Sequence, residues 1–319
     1  TTHRPVLGAH RLLSNGQATA LIGTAACVNW WCGPEMDSPP LLWSLLDPTG
    51  AAARWCGAEE IERSSEPAGP VVRSVLRVGG TRIECHDALV EEGLVRLVRA
   101  IEADLDVAHE LSIGGFDQPW GIWERSRCHL GSAVVSVCGG MSQAAGRWLT
   151  TTLRAPRDRW AALIVRVDGN VVPVDADRLA DRLNALEARG RTVLERARLP
   201  RHHPERAADA LSVLEACTYR PSGSIVAAPT TSLPEAPGAD RQFDYRYSWL
   251  RDASLGISVA ALLGNRSAGE QYLRFVVGLS VGGDPTTTPV TDVRGQPVPV
   301  EREVEGVAGR AGSLPIRVG

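Results

Sequence analysis

A cluster of aromatic and charged side chains at residues 241–256, RQFDYRYSWLRDASLG, is the part of the sequence best suited to hold a ligand. Arg251 and Asp252 supply a hydrogen-bond donor and an acceptor, and Tyr245 and Trp249 supply flat apolar rings. A structural interpretation is also open for each. Asp252 precedes the apolar run ASLGISVAALL, where a carboxylate satisfies the first amides of a helix, and the alternating aromatic residues could be ordinary packing.

Other charged side chains have similar alternatives. Arg251 could form a structural ion pair with Asp244 or Glu235, although we favour an Arg251 that faces a pocket. The acidic segment EREVE at residues 301–305 alternates like a strand. It could be a solvated loop, or Glu303 could act as a local acid or base, with Glu301 beside it at the edge of the pocket.

Three histidine and cysteine groups look like sites but lack the partners that their chemistry needs. They are His202-His203, Cys85-His86-Asp87 and Cys128-His129. Adjacent histidines point apart in most backbones, and no carboxylate cluster accompanies them, so we predict no metal. The cysteines lack a third partner for nucleophilic catalysis. All 34 basic residues are arginine, which excludes a lysine Schiff base and indicates the codon bias of a GC-rich, actinobacterial genome. We predict no cofactor.

The composition is that of an ordinary globular protein. The 319 residues are 44% hydrophobic and 22% charged, with a net charge of −3, which gives no electrostatic reason to bind nucleic acid or an anionic membrane. No apolar run reaches the roughly 18 residues of a membrane-spanning helix, and no signal peptide is visible. The seven cysteines are scattered and odd in number, which favours free thiols in the cytoplasm.

The periodicity of apolar residues divides the chain into a β-rich and an α-rich part. Up to about residue 170, short runs such as VVRSVLRVGG and TRIECHDALV alternate with turn residues, which predicts an antiparallel sandwich. From about residue 175 the period becomes helical, with Leu179, Leu183, Leu186 and Leu194 on one stripe. Further helices are predicted near 207–219, 252–263 and 267–280. The predicted domains of this β plus α multidomain chain are a β-sandwich at 1–172, a linker helix at 173–206 and a helical domain at 207–319.

Three long stretches resemble a single known family. They are SGSIVAAPTTSLPEAPGADRQFDYRYSWLRDAS (222–254), ALIGTAACVNWWCGPEMDSPPLLWSLLDP (20–48) and EREVEGVAGRAGSLPIRVG (301–319). They resemble glycoside hydrolase family 15, which contains bacterial glucoamylases, glucodextranases and actinobacterial trehalases. The resemblance implies an N-terminal antiparallel β-supersandwich, a linker helix and the first helices of an (α/α)6-type barrel that holds the active site.

The resemblance also implies roles for residues of the aromatic cluster. Arg251 and Asp252 fall on the pair that hydrogen-bonds the sugar in the innermost subsite, and Tyr245 and Trp249 fall near the aromatic wall of the same pocket. The family inverts the anomeric carbon with two glutamates. One protonates the leaving oxygen and the other activates a water about 6.5–9.5 Å away.

This sequence departs from the family pattern at several positions. Both family glutamates are expected to lie beyond residue 319, and the barrel is expected to be incomplete. Asn29 replaces a usual Asp, Arg310 replaces a usual Tyr, and Ala311 and Leu314 stand where relatives often have Arg. These changes remove polar groups from positions that normally line or brace a sugar site.

Three functions follow from the match and the departures. The first is a dehydratase, or lyase, that acts on a polyoxygenated natural product in actinobacterial secondary metabolism. Asp252 and Glu303 would be its catalytic residues, and Arg251, Tyr245, Trp249 and Glu301 would bind the substrate. The second is the N-terminal fragment or split subunit of an inverting α-glucosidase or trehalase. The third is a non-catalytic carbohydrate- or partner-binding module. In each case we expect a homodimer to cover the incomplete barrel.

Overall fold

The computed structural model describes most of the chain and places two main layers of β-strands before a group of helices. The described residues are 7–64, 66–169, 173–231, 233–234, 236, 238, 240–279, 288–313 and 316–319. Glu235, one proposed partner of Arg251, and Leu314, one of the departures from the family pattern, lie outside these residues.

Seventeen described strands build the N-terminal part. In chain order they are β1 (Arg11–Ser14), β2 (Thr19–Ile22), β3 (Val28–Cys32), β4 (Pro40–Leu42), β5 (Ala53–Trp55), β6 (Glu59–Arg63), β7 (Ala68–Gly69), β8 (Val71–Val78), β9 (Thr81–Val90), β10 (Gly93–Ala100), β11 (Leu105–Leu111), β12 (Ile122–Glu124), β13 (Arg127–Leu130), β14 (Ala133–Cys138), β15 (Met141–Ala145), β16 (Trp148–Ala155) and β17 (Ala161–Val167). Their pairing is antiparallel apart from β1 with β7, as the alternating runs predict.

The strands form two sheets that pack face to face. One has the order β15-β16-β11-β5-β3-β2-β1-β7, with β4 beside β3, and the other has the order β12-β13-β14-β17-β10-β9-β8-β6. Alternate side chains point between the sheets, so that Trp30, Trp55 and Leu94 share one core. Burial alternates less along β10, because Val95 and Leu97 on its other face are covered by the helix that follows the sandwich. This is a β-sandwich, as predicted.

Four α-helices follow the sandwich in the described residues. They are α1 (Ala176–Glu195), α2 (Pro204–Ala216), α3 (Leu250–Leu262) and α4 (Arg266–Leu279). α1 begins where the Asp175 side chain accepts hydrogen bonds from the amides of Asp177 and Arg178. Its buried residues Leu179 and Leu183 pack on the outer face of the second sheet, as the leucine stripe predicts.

The other helices pack on one another and on the edge of the sandwich. Their shared core includes Tyr272 and Phe275 from α4 and Ala253 from α3, together with Leu12 and Met36 from the sandwich. Three two-stranded sheets complete the described structure: β18 (Thr218–Tyr219) with β19 (Ser224–Ile225), β20 (Ser248–Trp249) with β21 (Val290–Thr291), and β22 (Arg302–Glu303) with β23 (Arg317–Val318). The (α/α)6-type barrel and the domain limits stay predictions.

Two helices begin two or three residues earlier than the sequence predicts. α2 begins at Pro204, three residues before the predicted start, because proline suits the first helical position, where its missing N–H is not needed. α3 begins at Leu250 directly after β20, and its N-terminal Trp249 forms no side-chain capping bond. The capping candidate Asp252 lies in the first turn and not at the N-cap, so the predicted start is two residues late.

Candidate functional site

The aromatic cluster is built on a short sheet that leads directly into a helix. β20 pairs with β21 through Ser248↔Thr291 and Trp249↔Val290, and the Leu250 amide donates to the Pro289 carbonyl at 3.0 Å. Asp252 therefore lies in the first turn of α3. A negative charge is favourable there because the first amides of the helix are unpaired.

Four of the six predicted site residues come together at this point. The ring centroids of Tyr245 and Trp249 are 6.2 Å apart at 56°, and the Arg251 guanidinium lies 6.0 Å from the Trp249 ring. Arg251 Nη2 donates to Asp252 Oδ2 at 2.9 Å. The two side chains are 71% and 36% exposed, so a guanidinium, a carboxylate and an aromatic ring are available together to a ligand in solvent.

The other two predicted site residues form a separate group. Glu301 pairs with Arg317 at 3.1 Å, and Glu303, on β22, lies 4.0 Å from the same guanidinium. Their side chains are 48% and 65% exposed. Within the described part of the chain, no hydrogen bond or ion pair joins Glu303 to Asp252, so the proposed catalytic pair has no direct contact.

A buried ion pair, missed by the sequence reasoning, lies beneath the exposed residues. Arg246 donates to Asp244 through Nε at 2.9 Å and through Nη2 at 2.6 Å, and both side chains are almost fully buried. Asp244 therefore pairs with Arg246 and not with Arg251. The sequence held a signal for this, because opposite charges two residues apart in a turn are close enough to pair.

Two residues that depart from the expected family pattern, Asn29 and Arg310, form hydrogen bonds inside the protein. The Asn29 side chain is buried, and its Nδ2 donates to Ser44 Oγ at 3.1 Å. Arg310 Nη1 donates to the Leu45 carbonyl at 3.0 Å. Both substituted polar groups therefore satisfy groups inside the protein or at the contact between the sandwich and the C-terminal segment.

An apolar groove of about 460 Å³ opens beside the exposed pair. It runs between α2 and α3 and is lined mainly by aliphatic side chains, with Asp252 at its rim; the lining includes Leu211, Val213, Leu214, Val259 and Leu263. A larger cavity of about 620 Å³ lies near the start of α1, between Trp160 and Asp104. That cavity contains none of the predicted site residues.

The Cys85-His86-Asp87 group from the sequence analysis has a structural role in the sandwich. Cys85 and Asp87 lie in the sandwich core, while His86 points to the opposite face of β9 and lies 2.9 Å from Arg73 Nη1. Among the described residues, no group of three His, Cys, Asp or Glu side chains could hold a metal ion. None of the helices in the described ranges combines the length and apolar character of a membrane span.

Comparison with known proteins supports the resemblance. The profile of the glycosyl hydrolases family 15 matches residues 207–288. A trehalase of Mycolicibacterium smegmatis is 27% identical over 360 aligned positions, which cover 99% of this chain and 54% of the relative. A trehalase of Mycobacterium tuberculosis is 26% identical with similar coverage. Trehalase 2 of Sulfolobus acidocaldarius is 37% identical over 133 positions, 40% of this chain and 23% of the relative.

The sequence comparisons therefore agree with the resemblance to family 15: the profile match lies within residues 207–288, and the relatives that align with almost the whole chain are trehalases. The chain spans about half the length of the two mycobacterial trehalases. The matched range 207–288 contains the exposed Arg251–Asp252 pair and the aromatic residues beside it.

Proposed function

We propose that this chain binds trehalose or a related disaccharide as the saccharide-binding part of a glycoside hydrolase-like protein. The observation that carries the proposal is the exposed Arg251–Asp252 pair beside the Trp249 ring. A guanidinium donates to sugar hydroxyls and a carboxylate accepts from them, while the ring offers an apolar face to the sugar C–H groups. The names of the relatives supply the choice of trehalose.

Hydrolysis of the bound sugar would need two carboxylates. An inverting enzyme holds them about 6.5–9.5 Å apart with a water between them. Because the relatives are about twice as long as this chain, we propose that the present residues supply the saccharide-binding corner of a trehalase-like or α-glucosidase-like active site, and that a further polypeptide segment supplies the hydrolytic pair.

Isothermal titration with trehalose and maltose tests the binding proposal. We expect saturable binding to the wild type, and a loss of about tenfold or more in affinity for Arg251→Ala and for Asp252→Asn, because each removes a charged hydrogen bond. Glu102→Gln is the matched control, since it alters an exposed ion pair with Arg82 in the sandwich. Equal affinity in all four proteins would contradict the proposal.

An elimination reaction is a second candidate, and the apolar groove beside Asp252 favours it. Hydrolysis needs an activated water, whereas elimination needs a base that takes a proton from carbon and an acid that protonates the departing oxygen. A groove lined by aliphatic side chains holds little water. Asp252 and Glu303 would be the acid–base residues of this dehydratase, on a polyoxygenated natural product.

Mass spectrometry separates elimination from hydrolysis. Incubation with a panel of polyoxygenated natural products should give a product lighter by one water, and Asp252→Asn and Glu303→Gln should abolish that product. Formation of the product at the wild-type rate by both variants would contradict the assignment of these residues. Two smaller products whose masses sum to that of the substrate plus one water would indicate hydrolysis instead.

We propose that a second copy of this chain covers the helical part and forms a homodimer. α3 exposes Leu255, Val259 and Leu262, and α4 exposes Leu273 and Val277. Several large apolar side chains exposed together on neighbouring helices are normally covered by another surface. Sedimentation analysis of the wild type and of Leu262→Asp tests this: a wild-type dimer that the substitution converts to a monomer supports it, and a wild-type monomer contradicts it.

A further inference from the structure

We infer that the sandwich loop at residues 33–38 is a positioning element of the saccharide-binding corner. It connects β3 to β4, yet it holds the chain on both sides of the β20–β21 sheet from which Trp249 projects. The inference rests on the proposed function and adds a residue-level role for the sandwich. The affinity of the corner for a sugar would then depend on contacts that the sandwich makes.

The first set of contacts joins the loop to the chain that follows β21. Asp37 Oδ2 accepts a hydrogen bond from the Val293 amide at 3.1 Å. Glu35 Oε1 accepts from Arg294 Nε at 3.1 Å and from the Tyr219 hydroxyl at 2.7 Å. The loop therefore ties the residues next to β21, and strand β18 beyond α2, to the sandwich.

The second set of contacts joins the loop to the chain that precedes β20. Arg246 Nη1 donates to the Ser38 carbonyl at 2.6 Å, while the rest of its guanidinium is bound by Asp244. The Trp249 indole in turn donates from Nε1 to the Asp244 carbonyl at 3.4 Å. A continuous series of contacts thus joins the loop to the ring that would stack on the sugar.

The charges of the loop fit a fixed attachment. Burial would raise the pKa of Glu35, but hydrogen bonds from Arg294 and Tyr219 lower it overall, so this carboxylate is ionised at neutral pH. Burial raises the pKa of Tyr219 to about 12, and the hydrogen bond to Glu35 adds to the effect, which keeps the phenol as a donor. Arg246 has no freedom to swing away because its side chain is only 3% exposed.

These contacts could instead serve only to attach the two parts of the protein. If the loop only attaches the two parts, a substitution in it would change overall stability without a preferential effect on the β20–β21 sheet. If the loop positions the site, the substitution would change the local order of residues 245–252 and the sugar affinity more than the melting temperature. The two roles therefore give different results for the same substitution.

The experiment compares Asp37→Ala with Asp37→Asn, which keeps an acceptor for the Val293 amide. Glu102→Ala is the matched control, because Glu102 Oε2 accepts from the Arg82 amide at 2.8 Å elsewhere in the sandwich. Hydrogen exchange of peptides covering 245–252 and 288–296, trehalose titration and the melting temperature are measured on the full chain.

We expect Asp37→Ala to accelerate exchange in both peptides and to weaken trehalose binding about three- to tenfold, which is less than the full value of a hydrogen bond to a charged acceptor because Asp37 acts on the site indirectly. Asp37→Asn should stay close to the wild type, and Glu102→Ala should change neither quantity. Unchanged exchange in Asp37→Ala, or an equal acceleration throughout the sandwich, would overturn the inference. If the wild type binds no trehalose while Asp37→Ala still accelerates exchange at 245–252, the proposed function fails and the positioning role stands.

Discussion

Two arginine–aspartate pairs of similar geometry lie in opposite environments. In the sandwich core, Arg96 Nε lies 2.7 Å from Asp87 Oδ1 and both side chains are 0% exposed. At the start of α3, Arg251 Nη2 lies 2.9 Å from Asp252 Oδ2, with 71% and 36% exposure. The same residue types therefore serve two purposes, and the environment decides which.

The remaining hydrogen-bond capacity of each pair explains the difference. Arg96 also lies 2.9 Å from His109 Nε2 and 5.0 Å from the Trp55 ring, and it donates to the Ala26 carbonyl. A buried pair needs such partners because desolvation removes the water that would otherwise satisfy it. Every direction is occupied, so no ligand could approach. The exposed pair keeps free hydrogen-bonding positions that a sugar hydroxyl could take.

The largest effect should come from removal of the buried carboxylate. We expect Asp87→Ala to lower the free energy of unfolding by about 3–5 kcal/mol, because Arg96 would be left charged and unpaired in the core. Asp252→Ala, the matched change in the exposed pair, should cost less than about 1 kcal/mol. Urea denaturation of both variants measures the contrast, and equal losses would contradict it.

The Asp244–Arg246 pair should give a smaller loss of stability and a loss of binding. Asp244→Ala should cost about 1.5–3 kcal/mol, since hydrogen bonds to a charged group are lost while Arg246 keeps its bond to the Ser38 carbonyl. Trehalose affinity should also fall, because the Trp249 ring rests on this segment. Denaturation and titration together test this; wild-type affinity at reduced stability would separate the pair from the site.

The sandwich should lose stability on mild acidification. Burial, with nearby Arg96, lowers the pKa of His109 well below its usual value, and burial beside Arg73 and Arg99 lowers the pKa of His86 to about 3. Unfolded histidines titrate near pH 6.5, so the unfolded chain binds the extra protons. The stability is complete above about pH 6.5 and is lost as the pH falls towards 3.

Between pH 7.5 and 5.5 each of these histidines should cost about 1.4 kcal/mol of unfolding free energy. Denaturation curves at the two pH values measure the sum. His86→Gln, which does not titrate, should remove one of the two contributions. A stability that rises over this interval would contradict the sign.

The smallest effect on stability should come from the exposed arginine. Arg251→Ala should change the free energy of unfolding by less than about 0.5 kcal/mol, because a solvent-exposed pair contributes little. The same variant should lose most of its sugar affinity. Thermal melting and titration check the two halves of this prediction, and a large drop in melting temperature would show that Arg251 is structural.

Much of the fold could be predicted from local patterns, but the site could be predicted only in part. The alternating runs predict the sandwich, and the leucines at 179 and 183 predict the buried face of α1. Arg251, Asp252, Tyr245 and Trp249 are brought together because they are close in the chain. Glu303 is distant in sequence, and its ion pair with Arg317 instead follows from the β22–β23 pairing.

The amino-acid sequence by itself determined the periodicities, the family resemblance and the content of the aromatic cluster, because all three depend on near neighbours along the chain. Only the tertiary structure decided which arginine–aspartate pair is buried. Burial depends on distant segments: Arg96 reaches the Ala26 carbonyl across 70 positions, and Arg246 reaches the Ser38 carbonyl across 208. Such contacts form only when the chain has packed, so no local pattern records them.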